Sequence, residues 1–268
     1  MNQQNQPLPP VRLNKFLAER LGVSRREADE MIATGKVTIG GKPAVLGARI
    51  SGELDKNEEV CYNGKIVPFE TEFLYLALNK PVGYVCSRRP QGDTPTLYEI
   101  LPKEYQKLKT VGRLDKDSSG LILLTNDGDF AFQMTHPKFK KEKIYEVTLD
   151  RPLEPLHQQM ISDYGVMLDD GPSKFLVVRD ELAESLPRGI RSRYEDAATS
   201  LVKTGARSVP RKTISQAHYT VVLSEGRNRQ IRRTFAALGY KVRTLHRTRF
   251  GKYQLSGLKP GEYVIIKP

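Results

Sequence analysis

From about residue 70 onward the chain is a succession of short apolar, β-branched runs: FLYLALNK, LILLT, KIYEVTL, KFLVV, HYTVVL and YVIIKP. Each has strand length and is bounded by turn-forming residues. Helical patterns between them are few, the best being Asn228 to Leu238. Parallel strands need long, usually helical crossovers, so this spacing predicts a mainly antiparallel, mixed-sheet α+β domain over 71–268. No Gly-rich phosphate loop or dinucleotide fingerprint is present, so no nucleotide cofactor is expected. Residues 180–213 carry 12 charges and few large apolar groups. They are expected to form a surface insertion, partly disordered, between two strands.

The first 70 residues read differently. Leu13, Phe16, Leu17 and Leu21 share one helical face, and Gly22 ends that helix. Ser24 and Glu27 have the spacing of a capping box, opening a second helix with Ala28, Met31 and Ile32 inward and Gly35 at its end. Val37-Thr38-Ile39, Gly40-Gly41 and Pro43 to Val45 predict a hairpin, and a strand around Glu59 to Tyr62 closes a small domain over 11–70. Residues 1–10, MNQQNQPLPP, are expected to be a disordered tail; they lack the charged and apolar regions of a signal peptide.

Charge narrows the partner. Forty-three Lys and Arg against 31 Asp and Glu give a net charge of +12, which favours a polyanion. A membrane surface is disfavoured, because the sequence has no long apolar run or basic amphipathic anchor. Over residues 11–69 ten basic side chains meet eight acidic ones, so affinity for RNA there must come from clustering. Arg12, Lys15, Arg25, Arg26, Lys36 and Lys42 are the exposed candidates, with Arg25 and Arg26 opening the second helix and Lys36 near its end. Residues 226–253 hold nine Lys or Arg and no acid. Cys61 and Cys86 have no CxxC spacing and no nearby His, so they are read as small buried hydrophobes. Neither a disulfide nor a metal site is expected, and a reducing cytoplasm fits.

Three stretches carry candidate chemistry. In GRLDKDSSGLILLTNDG, Leu121 to Leu124 reads as a buried strand and Asp127 as turn chemistry, while Asp115 and Asp117 lie in the loop entering the strand. Spacing does not choose between those two carboxylates. In EGRNRQIRRTF, Ile231, Phe235 and Leu238 mark a helix, with Arg227 and Arg229 near its start and Arg232 and Arg233 a turn later. One arginine could pair with a carboxylate; Arg227, Arg229 and Arg233 are candidates for phosphate contacts. In Lys143 to Val147, alternation puts Ile144 and Tyr145 on opposite faces, and Tyr145 is either core or a platform for a base.

The stretch RLNKFLAERLGVSRREADEMIATGKVTIGGK resembles the S-four-type (alpha-L) RNA-binding domain. From Val11 almost to the end, the chain resembles the pseudouridine synthases of the RsuA/RluB/RluE/RluF family, through Lys80-Pro81-Val82-Gly83, the GRLDKDSSG stretch, KIYEV and EGRNRQIRRTFAALGYKVRTLHR. This resemblance implies a catalytic Asp115, an active-site Tyr145, an aspartate-pairing Arg232, and an Arg113 that helps hold a flipped nucleotide. It implies isomerisation of uridine to pseudouridine in structured ribosomal RNA, with transfer RNA as the alternative substrate, by a cytoplasmic monomer needing neither cofactor nor metal. Nucleophilic addition and a glycal route are both compatible with it. The chain departs from the family in the length of its 180–213 insertion and in Thr234, where a larger apolar residue is common. A non-catalytic assembly factor would lose Asp115, Tyr145 or Arg232, and a metal nuclease would need more convergent carboxylates.

Overall fold

The computed structural model describes residues 10–51, 59–69, 72–179 and 217–268. Most of the expected tail and all of the expected insertion at 180–213 lie outside the described residues. The chain divides into two compact units, one running to Leu74 together with Asn126–Gly128, the other formed by Tyr75–Thr125 and Asp129–Pro268.

The first unit contains β1 (Val11–Arg12), α1 (Leu13–Arg20), α2 (Arg25–Ala33), β2 (Val37–Ile39), β3 (Lys42–Pro43), β4 (Arg49–Ile50), β5 (Val60–Tyr62) and β6 (Lys65–Ile66). The capping box at α2 is complete: Glu27 N donates to Ser24 Oγ at 3.1 Å, and Ser24 N donates to Glu27 Oε2 at 2.6 Å. Both orphan donors of the first turn are thereby satisfied. Leu13, Phe16, Leu17, Ala28 and Ile32 bury against Val37, Ile50 and Val60 of the sheet β3-β2-β5-β6 and the β1–β4 pair. After Gly41 the paired strand is Lys42–Pro43, and Ala44 N still donates to Val37 O at 2.9 Å beyond it. Arg12, Arg25, Arg26, Lys36 and Lys42 are exposed as expected. Lys15 is only half-exposed and reaches Glu19 at 4.0 Å, while Arg25 Nη2 donates to Asn14 Oδ1 at 3.0 Å.

The second unit is built on β7 (Tyr75–Lys80), β8 (Lys109–Val111), β9 (Ser119–Thr125), β10 (Lys143–Leu149), β11 (Val166–Leu168), β12 (Gly171–Ser173), β13 (Leu176–Arg179), β14 (His218–Leu223), β15 (Val242–Phe250), β16 (Tyr253–Gln254) and β17 (Tyr263–Ile265). Its main sheet runs β13-β14-β10-β15-β9-β7-β17, with β8 also on β9 and β16 on β15. Every pairing in it is antiparallel except β15 with β9. The helices include α3 (Gly128–Thr135), α4 (Pro155–Gln159) and α5 (Gln230–Ala237). β9 is buried from Gly120 to Thr125, as a continuous apolar run requires when both faces are covered.

The parallel contact depends on one glycine. Gly120 has φ +105°, and a Cβ there would lie 2.2 Å from Arg247 O and 2.5 Å from Arg247 N. Without a side chain, β15 can approach and set Arg247 opposite Gly120. Cys61 and Cys86 are half-buried rather than sealed in the core. Cys86 Sγ lies 3.3 Å from both Leu114 N and Leu114 O, so it packs against the backbone leading to Asp115.

Candidate active site

Asp115 and Asp117 sit in the loop between β8 and β9, and that loop is fixed from beneath. Lys80 ends β7 with no solvent exposure. Its Nζ donates to the carbonyls of Ser118 at 2.7 Å, Pro81 at 2.9 Å and Asp115 at 3.1 Å. Burial lowers the Lys80 pKa, although the nearby Cys86, Asp115 and Asp117 pull it the other way. Gly83 N donates to Lys116 O at 2.7 Å, and Ser118 N to Asp115 O at 3.1 Å. Thus the Lys80-Pro81-Val82-Gly83 stretch clamps the backbone that presents both carboxylates.

α5 supplies the arginines. Arg229 caps it with φ +46°, a left-handed conformation that a side-chain-bearing residue adopts at a cost of about 1–2 kcal/mol. Its Nη1 and Nη2 donate to Asp117 Oδ1 and Oδ2, each at 3.0 Å. Asp117 Oδ2 also lies 3.3 Å from Arg232 Nε. Arg232 is held further by donation from Nη1 to Val242 O at 3.0 Å and from Nη2 to Asp117 O at 2.8 Å. Burial works against ionised Asp117, but the Arg229 fork and the Arg232 charge outweigh it and keep this carboxyl below its usual range.

Asp115 is bound more loosely. Its ion-pair contact among the described residues is Arg229 Nη1 at 3.6 Å, and its side chain is 30% exposed. The sequence expectation paired Arg232 with Asp115; the geometry gives Arg232 to Asp117 and turns Arg229 toward Asp115. Arg232 is held to Asp117 by a further bond, from Nη2 to the Asp117 carbonyl, while Arg229 lies at the start of α5 within reach of both carboxylates.

Tyr145 is buried on β10, two strands from β9, which the loop enters. It stands opposite Arg247 across β10 and β15, and Arg247 stands opposite Gly120 at the loop's end. The Arg247 guanidinium lies 6.0 Å from the Tyr145 ring centroid and 4.9 Å from that of Phe250, and its Nε donates to Leu121 O at 2.7 Å. Arg247 is 2% exposed. Sequence reading assigned no role to Arg247 or Lys80, whose bonds to Leu121 and to Asp115 and Ser118 span at least 35 residues. Arg113 is exposed two residues before Asp115.

Arg227 and Arg233, expected to meet phosphates, have partners inside the protein. Arg233 makes a two-pronged contact with Asp170, at 3.1 and 2.7 Å. Arg227 donates to Asp170 Oδ1 at 3.0 Å and to the carbonyls of Asp170, Gly171 and Pro172. Together they fasten the β11–β12 turn to α5. Thr234 belongs to the same seam: its Oγ1 donates to Ser173 Oγ at 2.7 Å and to Gln230 O at 2.9 Å. A larger apolar residue there would leave Ser173 without that bond.

The comparisons with known proteins agree along the chain. The family model described as RNA pseudouridylate synthase matches residues 74–237, and that described as S4 domain matches residues 11–52. A Pasteurella multocida protein named ribosomal small subunit pseudouridine synthase A is 35% identical over 255 residues, covering 94% of each chain. Its namesake in Escherichia coli K12 is 34% identical, over 94% of this chain and 95% of that one. An RNA pseudouridine synthase of Aquifex aeolicus is 32% identical, over 94% and 91%. A crystal structure of a pseudouridylate synthase superposes with a TM-score of 0.59 at 30% identity, covering 96% of both chains. The chain is an enzyme of the RNA pseudouridylate synthase family, with an S4 domain at its N-terminal end.

Proposed function

We propose that the protein isomerises a uridine of structured ribosomal RNA to pseudouridine, with Asp115 as the catalytic carboxylate acting on a nucleotide turned out of its stack. The difference between the two loop carboxylates carries the assignment. A carboxylate with both oxygens held in an arginine fork, as in Asp117, has little electron density to offer an electrophile. Asp115 meets Arg229 Nη1 at 3.6 Å, beyond hydrogen-bond distance, which leaves its oxygens open to a substrate. The small-subunit names of the relatives support small-subunit ribosomal RNA as the substrate.

The reaction breaks the bond between ribose C1′ and uracil N1, rotates the base, and joins C1′ to C5 with loss of the C5 proton. No net redox change occurs. Ionised Asp115 either adds to C1′ as the base departs, as a glycosidase nucleophile does, or removes the C2′ proton to give a glycal. Turning the nucleotide out costs a few kcal/mol, which stacking on Tyr145 offsets. In this reading Arg113, exposed in the same loop as Asp115, and Arg229 hold the flipped nucleotide, and Arg12, Arg25, Arg26 and Lys36 of the S4 domain supply contacts to the RNA backbone.

Release of tritium from ribosomal RNA labelled at uridine C5 measures the reaction directly. Wild type releases it and Asp115→Asn does not. Equal release from both proteins removes Asp115 from this role, and release from transfer RNA alone replaces the substrate.

A further inference from the structure

Beside Asp117 opens a basic concavity two of whose cations, Lys241 and Arg243, have no part in the isomerisation as proposed. It encloses about 520 Å³ and is lined by Arg229, Arg232, Lys241 and Arg243, with Asp117 as the acid among its lining residues. Lys241 and Arg243 are exposed where α5 returns into β15. The strand entry is fixed by its backbone: Lys241 N donates to Asp150 Oδ1 at 2.8 Å, and Asp150 N donates to Lys241 O at 2.9 Å. Tyr240 forms part of the wall, and Arg151 stacks on it at 4.5 Å. The acids of this neighbourhood are Asp117, Asp150 and Asp115, the last 3.6 Å from Arg229, against five cations, Arg229, Arg232, Lys241, Arg243 and Arg151.

The charge and the fork geometry point to a phosphate. Two guanidinium nitrogens, each 3.0 Å from a different oxygen of one carboxylate, present the spacing that also fits two non-bridging phosphate oxygens. Arg232 is already oriented by its bond to Val242 O, so little ordering is needed when an anion enters. We infer that this pocket binds a phosphodiester of the RNA strand flanking the isomerised uridine, and that Asp117 occupies the arginine fork until that phosphate displaces it. The inference rests on the RNA substrate proposed above and adds Lys241 and Arg243 to its recognition.

The test is fluorescence anisotropy of the full-length protein with a labelled small-subunit ribosomal RNA transcript across a salt series. Each phosphate contact contributes about 0.7–0.9 to the slope of log Kd against log salt. Lys241→Gln combined with Arg243→Gln should weaken binding on the order of tenfold at low salt and flatten that slope by about one. Asp117→Asn should move the other way, tightening binding several-fold because the phosphate no longer competes with a carboxylate. Mere structural damage would weaken binding in both variants. A wild-type Kd and slope in the double variant, or weaker binding by Asp117→Asn, overturns the inference. So does a pocket whose loss abolishes stabilisation by inorganic phosphate yet leaves RNA binding unchanged, which would mark a site for the free anion. Melting curves accompany each variant, and the two single substitutions replace the double one if it melts early. Tritium release is read separately, so an inactive wild type with the stated binding shifts refutes the isomerase assignment and leaves the phosphate pocket standing.

Discussion

Lys80→Met isolates what the buried ammonium does for the catalytic loop. Methionine keeps most of the stem's volume, so the packing loss is small. What disappears is the donor to three carbonyls at 2.7, 2.9 and 3.1 Å, on a side chain with no solvent exposure. Leaving a buried acceptor unsatisfied costs about 1–3 kcal/mol, so the gross loss is about 3–9 kcal/mol. Against this, the variant no longer buries an ammonium, which itself costs several kcal/mol. A net destabilisation on the order of 2–4 kcal/mol follows, measurable by urea unfolding. The kinetic effect should be larger than this suggests. Two of the three carbonyls belong to Asp115 and Ser118, so the loop loses the tether that fixes Asp115, and a displacement of about 1 Å can cost on the order of a hundredfold in rate. The rate of tritium release per folded enzyme molecule should fall by that factor, while the Kd for RNA stays close to wild type because Lys80 is sealed from solvent. Lys80→Met with a wild-type kcat would refute the reasoning. A loss fully explained by the unfolded fraction would reduce Lys80 to a stability residue.

Gly120→Ala should be severely destabilising, about 3–5 kcal/mol, because it combines a positive φ with a Cβ 2.2 Å from Arg247 O; a melting temperature within a few degrees of wild type would contradict the tight β9–β15 approach. Lys143 titrates at about 8, lowered first by burial and then by Arg247, with Glu225 opposing. Between about pH 8 and the ordinary lysine value of about 10.4, the unfolded chain binds the proton that the folded chain has lost, so the Lys143 contribution to stability rises with pH across that window. Urea midpoints should therefore climb more steeply with pH in wild type than in Lys143→Gln, and parallel curves would remove Lys143 as their cause.

The sequence disclosed those elements whose cause is local. The capping box at Ser24 and Glu27 depends on four consecutive residues, and the strand at Leu121 to Leu124 depends on its own apolar run; both formed as read. The parallel meeting of β15 with β9 could not be read this way, because its requirement, a glycine at 120 opposite residue 247, joins positions 127 apart. The same distance hides the partners of the arginines. Nine cations in 28 residues signalled RNA, yet Arg227 and Arg233 are claimed by Asp170, which composition cannot foresee. In the sequence Thr234 is only a departure from the family pattern. Its bond to Ser173 makes it part of the polar seam that seats the β11–β12 turn.

The two loop carboxylates show why spacing alone left the choice open. Asp115 and Asp117 are two residues apart, both in reach of the same arginine, and both partly exposed at 30% and 46%. Charge, composition and exposure do not separate them; partner geometry does. A group that must attack carbon or take a proton needs a neighbouring cation to keep it ionised, but its lone pairs must stay available. Asp117 meets the first requirement and fails the second, since its oxygens face Arg229 and Arg232 at 3.0–3.3 Å. It thereby absorbs the charge that would otherwise close on Asp115. On this view the work is divided: Asp117 in the free enzyme, and the incoming phosphate once RNA is bound, hold the arginines in place, and Asp115 remains free to react.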